Sequence, residues 1–217
     1  MPQHDEMPLS TADSETVRAF VAIELPESVK HSLAELQAYV KKRIAEAVGQ
    51  KSADKLLNWT KPQGIHLTLK FLGNVPAGQI QGIGDAVSAA VAGQRPFVVS
   101  FAAAGAFPSL NRPRVIWVGV DGDLDALRLV QKRIDDALQK LGFAPETRPF
   151  SPHLTLARIR EGGSTQDIRL IGQSVRQASE ANLRIEELPV EEISLMRSEL
   201  SRAGARYSQL AAFRLAK

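Results

Sequence analysis

The sequence predicts an α+β fold of two similar lobes, each with an antiparallel sheet and flanking helices, and two observations support this prediction. The tetrapeptide His-Leu-Thr-Leu occurs twice, at residues 66–69 and 153–156, which indicates a duplicated strand. Predicted strands and helices also alternate along the chain, and most adjacent strands are joined as hairpins. Because hairpins create antiparallel pairs, they favour antiparallel sheets over a doubly wound parallel sheet.

The first half of the chain alternates strand and helix on both sides of the first tetrapeptide. Strands are predicted where β-branched and aromatic residues alternate with polar ones, and helices where apolar residues recur every three or four positions. The predicted elements, in order, are a strand from Val17, a helix from Pro26 to about Val48, a short strand at 57–60, the first tetrapeptide strand and a helix at 77–92.

The second half shares the order of strand, helix and tetrapeptide strand, although outside the tetrapeptides the two halves barely match in sequence. The glycine after Leu141 is a common helix stop, and it ends the third predicted helix. The predicted elements are a hairpin of FVVSFAAAGAF and RVIWVGV, a helix at 124–141, the second tetrapeptide strand, an amphipathic helix within 161–182, and closing strands VEEISLMRSEL and YSQLAAFRL joined by a turn at Gly204.

Composition limits the class of protein and its compartment. The 217 residues include no cysteine, which excludes disulfides, thiolate zinc sites and a cysteine nucleophile; the net charge of +3 suits an anionic ligand without the dense basic surface of a general nucleic-acid coater. Since no apolar run approaches a membrane span and the N-terminus lacks a signal-peptide pattern, we expect a cytoplasmic protein without membrane contact. Residues 1–15 are predicted to be a disordered leader, and residues 16–217 a single bilobal domain.

The two tetrapeptides carry the candidate chemistry. Side chains alternate between the two faces of a strand, so the leucines of each copy are expected in the core. In the first copy, His66 and Thr68 share the opposite face. In the second copy, His153 and Thr155 do the same. Two imidazoles with a pKa near 6.5 can act as one general base and one general acid in an in-line displacement at phosphorus, while hydroxyl groups and cations hold the phosphoryl oxygens.

Other catalytic classes lack their motifs in this chain. A zinc site needs three or four protein ligands, but the remaining histidines, His4 and His31, lie in the predicted leader and on the first helix, and HExxH is absent. A serine hydrolase would need G-x-S-x-G and a kinase or ATPase a phosphate loop, and neither motif occurs. We therefore expect no metal and no cofactor.

Longer segments around the tetrapeptides carry a family resemblance that runs from about Val17 to Leu215. These segments are FVAIELP, WTKPQGIHLTLKFLG, GAFPS with RPRVIWVGV, and RPFSPHLTLAR. Together they resemble the 2H phosphoesterases, in particular the LigT-like RNA 2′,3′-cyclic phosphodiesterases, which are also called 2′-5′ RNA ligases. One local departure is the turn before the first motif, which usually resembles Pro-Glu-Asn in that family and is Pro62-Gln63-Gly64 here.

The resemblance implies a fold, a reaction and a role for each histidine. The fold would be two pseudo-symmetric lobes around a central groove, with one His-x-Thr-x strand from each lobe. The reaction would be metal-independent hydrolysis of a 2′,3′-cyclic phosphate to a 2′-phosphate. In that scheme His66 is the proton donor to the departing 3′ oxygen, and His153 is the proton acceptor that activates water.

The resemblance also implies substrate-binding residues. Thr68 and Thr155 would hold phosphate oxygens, Arg158 would add a positive charge, and Phe20 would border the base. On a regular strand, Arg158 is an odd number of residues from His153 and would face away from it, so its place in the site requires a twist, a bulge or the end of the strand. Lys70 is interpreted as a solvent-exposed lysine.

Three questions stay open at the level of the sequence. The first question is whether the substrate is RNA with a 2′,3′-cyclic phosphate end or a small cyclic nucleotide. The same acid and base can form a 2′-5′ linkage when a 5′-hydroxyl end replaces water. A module that binds RNA ends or nucleotides without turnover is the alternative from another class of protein. We expect a monomer.

Overall fold

The computed structural model of the chain describes residues 15–181, 185, 187–201 and 204–216, so the predicted leader lies outside the described residues except for Glu15. The helices and strands are β1 (Thr16–Ile23), α1 (Glu27–Val48), α2 (Gln50–Leu56), β2 (Leu57–Trp59), β3 (Leu67–Pro76), α3 (Ile80–Val91), β4 (Phe97–Phe107), β5 (Val115–Gly122), α4 (Leu124–Gln139), β6 (His153–Ile159), α5 (Thr165–Glu180), β7 (Leu188–Val190), β8 (Glu192–Ser201) and β9 (Gly204–Arg214).

The strands form two antiparallel sheets, which confirms the predicted α+β fold of two lobes. The four-stranded sheet has the order β3-β1-β8-β9, and the five-stranded sheet has the order β2-β6-β5-β4-β7. Each sheet contains one tetrapeptide strand, β3 in the first and β6 in the second. The two copies of the motif therefore belong to different lobes.

The two halves of the chain repeat one order of elements and exchange their last strand. The first half runs β1-α1-β3-α3-β4 and the second runs β5-α4-β6-α5-β8. Strand β4 pairs with β5 of the second half, and β8 pairs with β1 of the first half. Helices cross over as well, since α1 packs with α5 on the five-stranded side and α4 packs against β3 of the four-stranded sheet. This exchange interlocks the lobes.

Apolar spacing explains the position of the longest helix. The side chains of Val29, Leu33, Val40 and Ile44 recur at helical spacing and are fully buried. Gln37 lies on the same buried face, where its amide nitrogen donates to the carbonyl oxygens of Thr60 and Leu156 at 2.8 and 3.0 Å. A polar group on the core face of α1 is thereby satisfied by the backbone beside the second tetrapeptide.

The structure adds two elements to the prediction and shortens a third. Helix α2 follows α1 directly after Gly49, whose φ of +83° suits the residue that lacks a side chain. Strand β7 is a three-residue edge strand, and helix α4 ends at Gln139 rather than at residue 141. In the described part of the chain no helix is long and apolar enough to span a membrane.

Candidate active site

One cavity of about 330 Å³ collects the tetrapeptide side chains of both lobes. His66 and Thr68 enter it from the start of β3, and His153 and Thr155 enter it from β6. The leucines between them lie in the core, with Leu67, Leu69, Leu154 and Leu156 all buried. The strand alternation predicted from the sequence is therefore confirmed for both motifs. Phe20 and Arg158 line the same cavity, so all six predicted site residues lie together.

Each catalytic candidate is held by a backbone carbonyl two residues before it. His66 Nδ1 lies 2.9 Å from the Gly64 carbonyl oxygen, and His153 Nδ1 lies 2.8 Å from the Ser151 carbonyl oxygen. A carbonyl only accepts, so in each ring Nδ1 carries the hydrogen, and Nε2 is left as the nitrogen that exchanges a proton with a ligand. The same contact at both motifs is direct evidence of the pseudo-symmetry.

A β-bulge explains why Arg158 reaches the cavity. Thr155 pairs with Trp117 and Ala157 pairs with Ile116, so Leu156 has no partner on β5. The extra residue reverses the alternation after it, and Arg158 joins the face of His153 and Thr155.

The first motif has the same bulge at the corresponding position. Thr68 pairs with Ala22 and Lys70 with Val21, which leaves Leu69 unpaired. As a result Phe71, rather than Lys70, continues the face of His66 and Thr68 and lines the cavity. Phe71 is 67% exposed. It occupies in the first motif the place that Arg158 occupies in the second.

The interpretation of Lys70 as a solvent-exposed lysine is wrong. Its side chain is 5% exposed and donates hydrogen bonds to the Asp135 carboxylate on α4 and, at 2.6 Å, to the carbonyl oxygen of Ala144. Burial alone would raise the pKa of the Asp135 carboxyl, but the hydrogen bonds from Lys70 and from the Glu146 backbone hold that pKa below its ordinary value. The bulge turns Lys70 toward the helix, where the Asp135 carboxylate lies.

Aromatic rings surround the two histidines unequally. The His66 ring lies 4.6 Å from that of Phe20 and 4.9 Å from that of Tyr207, which meets it edge-on. The His153 ring meets Phe107 edge-on at 5.0 Å. Phe20 is only 2% exposed, so it supports His66 from behind, and its contact with a base stays a prediction.

Burial between two rings changes the acidity of His66. It lowers the pKa of His66 from 6.5 to about 4, although the hydrogen bond to the Gly64 carbonyl partly opposes the change by favouring the charged ring. His66 is therefore neutral at pH 7.

Sequence reasoning missed Tyr207 and Phe71. Tyr207 lies on β9, which reaches His66 only because β9 pairs with β8 and β8 with β1. The unusual Gly64 of the preceding turn accommodates it, since a Cβ there would lie 3.1 Å from the Tyr207 ring. No local sequence pattern reports this long-range contact, and the strand alternation places Phe71 on the wrong face until the bulge is known.

Two strands that present His-x-Thr-x motifs from pseudo-symmetric lobes to one cavity define the 2H phosphoesterase class of protein. Two successive segments of this chain, residues 23–117 and 118–207, match the family model described as LigT like Phosphoesterase. The chain belongs to that family. The two matched segments correspond closely to the two halves of the fold.

The chain is also similar to individual proteins over almost its whole length. An RNA 2′,3′-cyclic phosphodiesterase of Methanothermobacter thermautotrophicus is 34% identical over 92% of this chain and 99% of its own, and one of Archaeoglobus fulgidus is 30% identical over 91% and 99%. Among solved structures, TT0787 of Thermus thermophilus matches with a TM-score of 0.67 at 27% identity, covering 91% of this chain and 97% of that one. Escherichia coli LigT complexed with 3′-AMP shares the fold, with a TM-score of 0.69 at 24% identity over 94% of this chain and 100% of that one.

Proposed function

We propose that this chain hydrolyses the 2′,3′-cyclic phosphate at the end of RNA, or of a small cyclic nucleotide, to a 2′-phosphate without a metal ion. The observation that carries the proposal is the pair of histidines in one cavity, each with Nδ1 fixed by a carbonyl and Nε2 left for proton transfer. The relatives named RNA 2′,3′-cyclic phosphodiesterase support the same reaction. One chain completes the cavity, so we propose that it acts as a monomer.

The proposed reaction is an in-line displacement with two proton transfers. His153 Nε2 accepts a proton from water as the water oxygen bonds to phosphorus. The bond from phosphorus to the 3′ oxygen breaks, and protonated His66 gives its Nε2 proton to that oxygen. The 2′ ester bond is kept, so the product is a 2′-phosphate and a free 3′-hydroxyl group. Solvent then exchanges the proton from His153 and restores the one on His66.

Neutral and cationic donors hold the phosphate during the proposed displacement. Thr68 and Thr155 each bring one hydroxyl to the cavity, and Arg158 brings a guanidinium group. Hydrogen bonds to charged oxygens contribute about 1.5 to 3 kcal/mol each. The anion that they hold also raises the pKa of His66, so substrate binding prepares the proton donor.

The test uses an oligoribonucleotide that ends in a 2′,3′-cyclic phosphate, incubated in EDTA with the protein. We expect complete conversion to the 2′-phosphate, an unchanged rate when EDTA replaces added divalent ions, and conversion slowed by roughly 10² to 10⁴-fold in His153→Ala. A 3′-phosphate product would contradict the assigned roles of the histidines. Tight binding with the cyclic phosphate unchanged would show a binding module, and activity restored to an EDTA-treated protein only by zinc or manganese would contradict the metal-independent reaction.

A further inference from the structure

A second groove, of about 700 Å³, continues from the active-site cavity. Thr68, Phe71 and His153 line both the cavity and this groove. The connection between β4 and β5 lines one part of the groove, and the segment before the second motif, residues 146–151, lines another. A ligand that reaches His153 therefore has space to continue beyond the reacting phosphate.

The walls of this groove present aromatic surface. Phe71 is the most exposed large apolar side chain among the described residues, and the partly buried rings of Phe107 and Phe150 also line the groove. We call this region, defined by these three rings, the aromatic groove. Exposed phenyl rings are stacking surfaces for nucleic-acid bases, and they accept every base because each has a flat face.

Two arginines line the aromatic groove and not the active-site cavity. Arg114 and Arg148 line the groove, opposed by the single carboxylate of Glu146, while Lys70 at its base is already paired with Asp135. Arg114 also lines a further recess of about 320 Å³, together with Arg112 and Arg160. We call this the arginine recess.

Glu161, the acidic residue that lines the arginine recess, competes only weakly with a phosphate group for Arg114. Glu161 lies 3.8 Å from Arg114, and the two side chains are 92% and 58% exposed. An ion pair as open as this contributes little. A phosphodiester chain, which carries one charge per nucleotide, can therefore displace it.

We propose that the RNA strand that precedes the cyclic phosphate runs from the cavity along the aromatic groove to the arginine recess. On this view, which rests on the proposed function, the substrate is the end of a single-stranded oligonucleotide rather than a free cyclic mononucleotide. Stacking in the groove and phosphate contacts in the recess make this preference one of length, with little dependence on base identity.

The first experiment compares kcat/KM for a 2′,3′-cyclic mononucleotide with kcat/KM for a pentanucleotide that carries the same end. We expect the longer substrate to be preferred by at least tenfold at low salt, through a lower KM, and the preference to shrink as salt rises because phosphate contacts release counterions. Equal kcat/KM values for the two substrates would overturn the proposal.

Variants locate the preference. Arg114→Gln and Arg148→Gln should each lower kcat/KM for the pentanucleotide about tenfold and reduce the slope of its logarithm against log salt by about 0.7, the value for one single-strand phosphate contact. In the same variants, kcat/KM for the mononucleotide should fall much less. Arg214→Gln is the matched control, because Arg214 is 90% exposed, has an equally loose ion pair 4.0 Å from Glu192, lies at the end of β9 and lines neither of these grooves. Equal losses with both substrates, or an effect of Arg214→Gln, would contradict the path.

A binding measurement separates this proposal from the proposed reaction. Fluorescence anisotropy with a labelled pentanucleotide that ends in a 2′-phosphate requires no turnover. If the protein binds this oligonucleotide and Arg114→Gln weakens binding while no cyclic phosphate is hydrolysed, the reaction is wrong and the path stands. If hydrolysis proceeds but wild type and Arg114→Gln bind the oligonucleotide equally, the path is wrong and the reaction stands. Melting temperatures of all variants confirm that they are folded.

Discussion

His66 and His153 are held alike through Nδ1 but lie in unequal surroundings. Two rings enclose His66, whereas one ring meets His153. The same carbonyl contact therefore holds one imidazole in an apolar niche and the other nearer to solvent. Burial lowers the pKa of His66 and so favours its neutral form, whereas the proton donor that we propose must carry a proton. The proposed role therefore requires the bound phosphate anion to raise the pKa of His66 again.

The two histidines should act as one unit when they are mutated. We expect His66→Ala and His153→Ala each to lower kcat by roughly 10² to 10⁴-fold, because each removes one proton transfer. The fold loss of kcat in the double variant should be far smaller than the product of the two single losses, since one missing partner already disables the displacement. Single-turnover hydrolysis of a cyclic-phosphate oligonucleotide measures this. Single variants that melt early but keep full specific activity while folded would show that the histidines are structural.

The lowered pKa of His66 predicts a loss of stability in acid. The pKa is about 4 in the folded protein and 6.5 in a model imidazole, so at pH 5 the unfolded chain binds a proton that the folded protein does not. The contribution is complete above pH 6.5 and is lost as the pH falls toward 4. By linkage the unfolding free energy should drop by on the order of 2 kcal/mol between pH 8 and pH 5.

Replacing His66 should remove that part of the pH dependence. Urea unfolding of wild type and His66→Gln at pH 8 and pH 5 gives the difference, and His31→Gln, at an exposed position on α1 with a 78% exposed side chain, is the control for losing one histidine. If His66→Gln retains the full acid sensitivity of the wild type, another group is responsible and His66 is not held neutral by its burial.

At the scale of the element, the two bulged strands determine which side chains reach the active site. Each motif strand gains one unpaired leucine directly after the threonine. Buried polar side chains from helices of the opposite half of the chain meet both strands there. Gln37 donates to the carbonyl oxygen of Leu156, and Asp135 pairs with Lys70. The bulges are thus supported by polar contacts as well as by packing.

The Lys70–Asp135 pair predicts a large loss of stability when one partner is removed. Lys70→Met should destabilise the protein by about 3 to 5 kcal/mol because it leaves a carboxylate buried without its cation. The double variant Lys70→Met/Asp135→Leu should recover much of that loss, because two apolar side chains of similar size fill the space. Lys132→Met is the control on the same helix, because its pair with Asp136 is exposed and should contribute little to stability. Urea unfolding checks all three, and equal effects of Lys70→Met and Lys132→Met would contradict the prediction.

The sequence predicted most elements and the tetrapeptide faces because both depend on local periodicity. Bulges do not, since an extra residue is stabilised by partners elsewhere in the chain, as Gln37 shows for Leu156. Local periodicity alone therefore leaves the strand face of Arg158 ambiguous and assigns Lys70 to solvent. Tyr207 depends on pairing across three strands, which no pattern near it encodes.

At the scale of the whole molecule, the exchange of strands should make the two lobes unfold together. Strand β4 of the first half pairs into the sheet of the second half, and β8 of the second half pairs into the sheet of the first half. Neither lobe therefore has its core without the other. Both tryptophans, Trp59 and Trp117, lie in the five-stranded sheet. Their fluorescence therefore reports one lobe, while far-ultraviolet circular dichroism reports both.

Leu67→Ala tests this coupling because Leu67 is fully buried in the four-stranded sheet, whereas both tryptophans lie in the five-stranded sheet. Loss of a buried leucine costs about 2 to 5 kcal/mol. We expect the tryptophan fluorescence midpoint in urea to fall together with the circular dichroism midpoint, with coincident curves as in two-state unfolding. A shift of the dichroism curve that leaves the fluorescence transition in place would show that the lobes unfold independently.

The positions of Phe71 and Arg158 have a consequence for which ester bond of the cyclic phosphate is opened. The two motifs share a carbonyl-held histidine, a threonine and a bulge, yet the second residue after the unpaired leucine carries a phenyl ring on one side and a guanidinium group on the other. A perfectly two-fold site would accept a ribose cyclic phosphate in either of two orientations and would open either ester bond. In the reaction that we propose, we expect the broken symmetry at this pair of positions to distinguish the two orientations, and so to assign the acid to one lobe, the base to the other and a single regioisomer to the product.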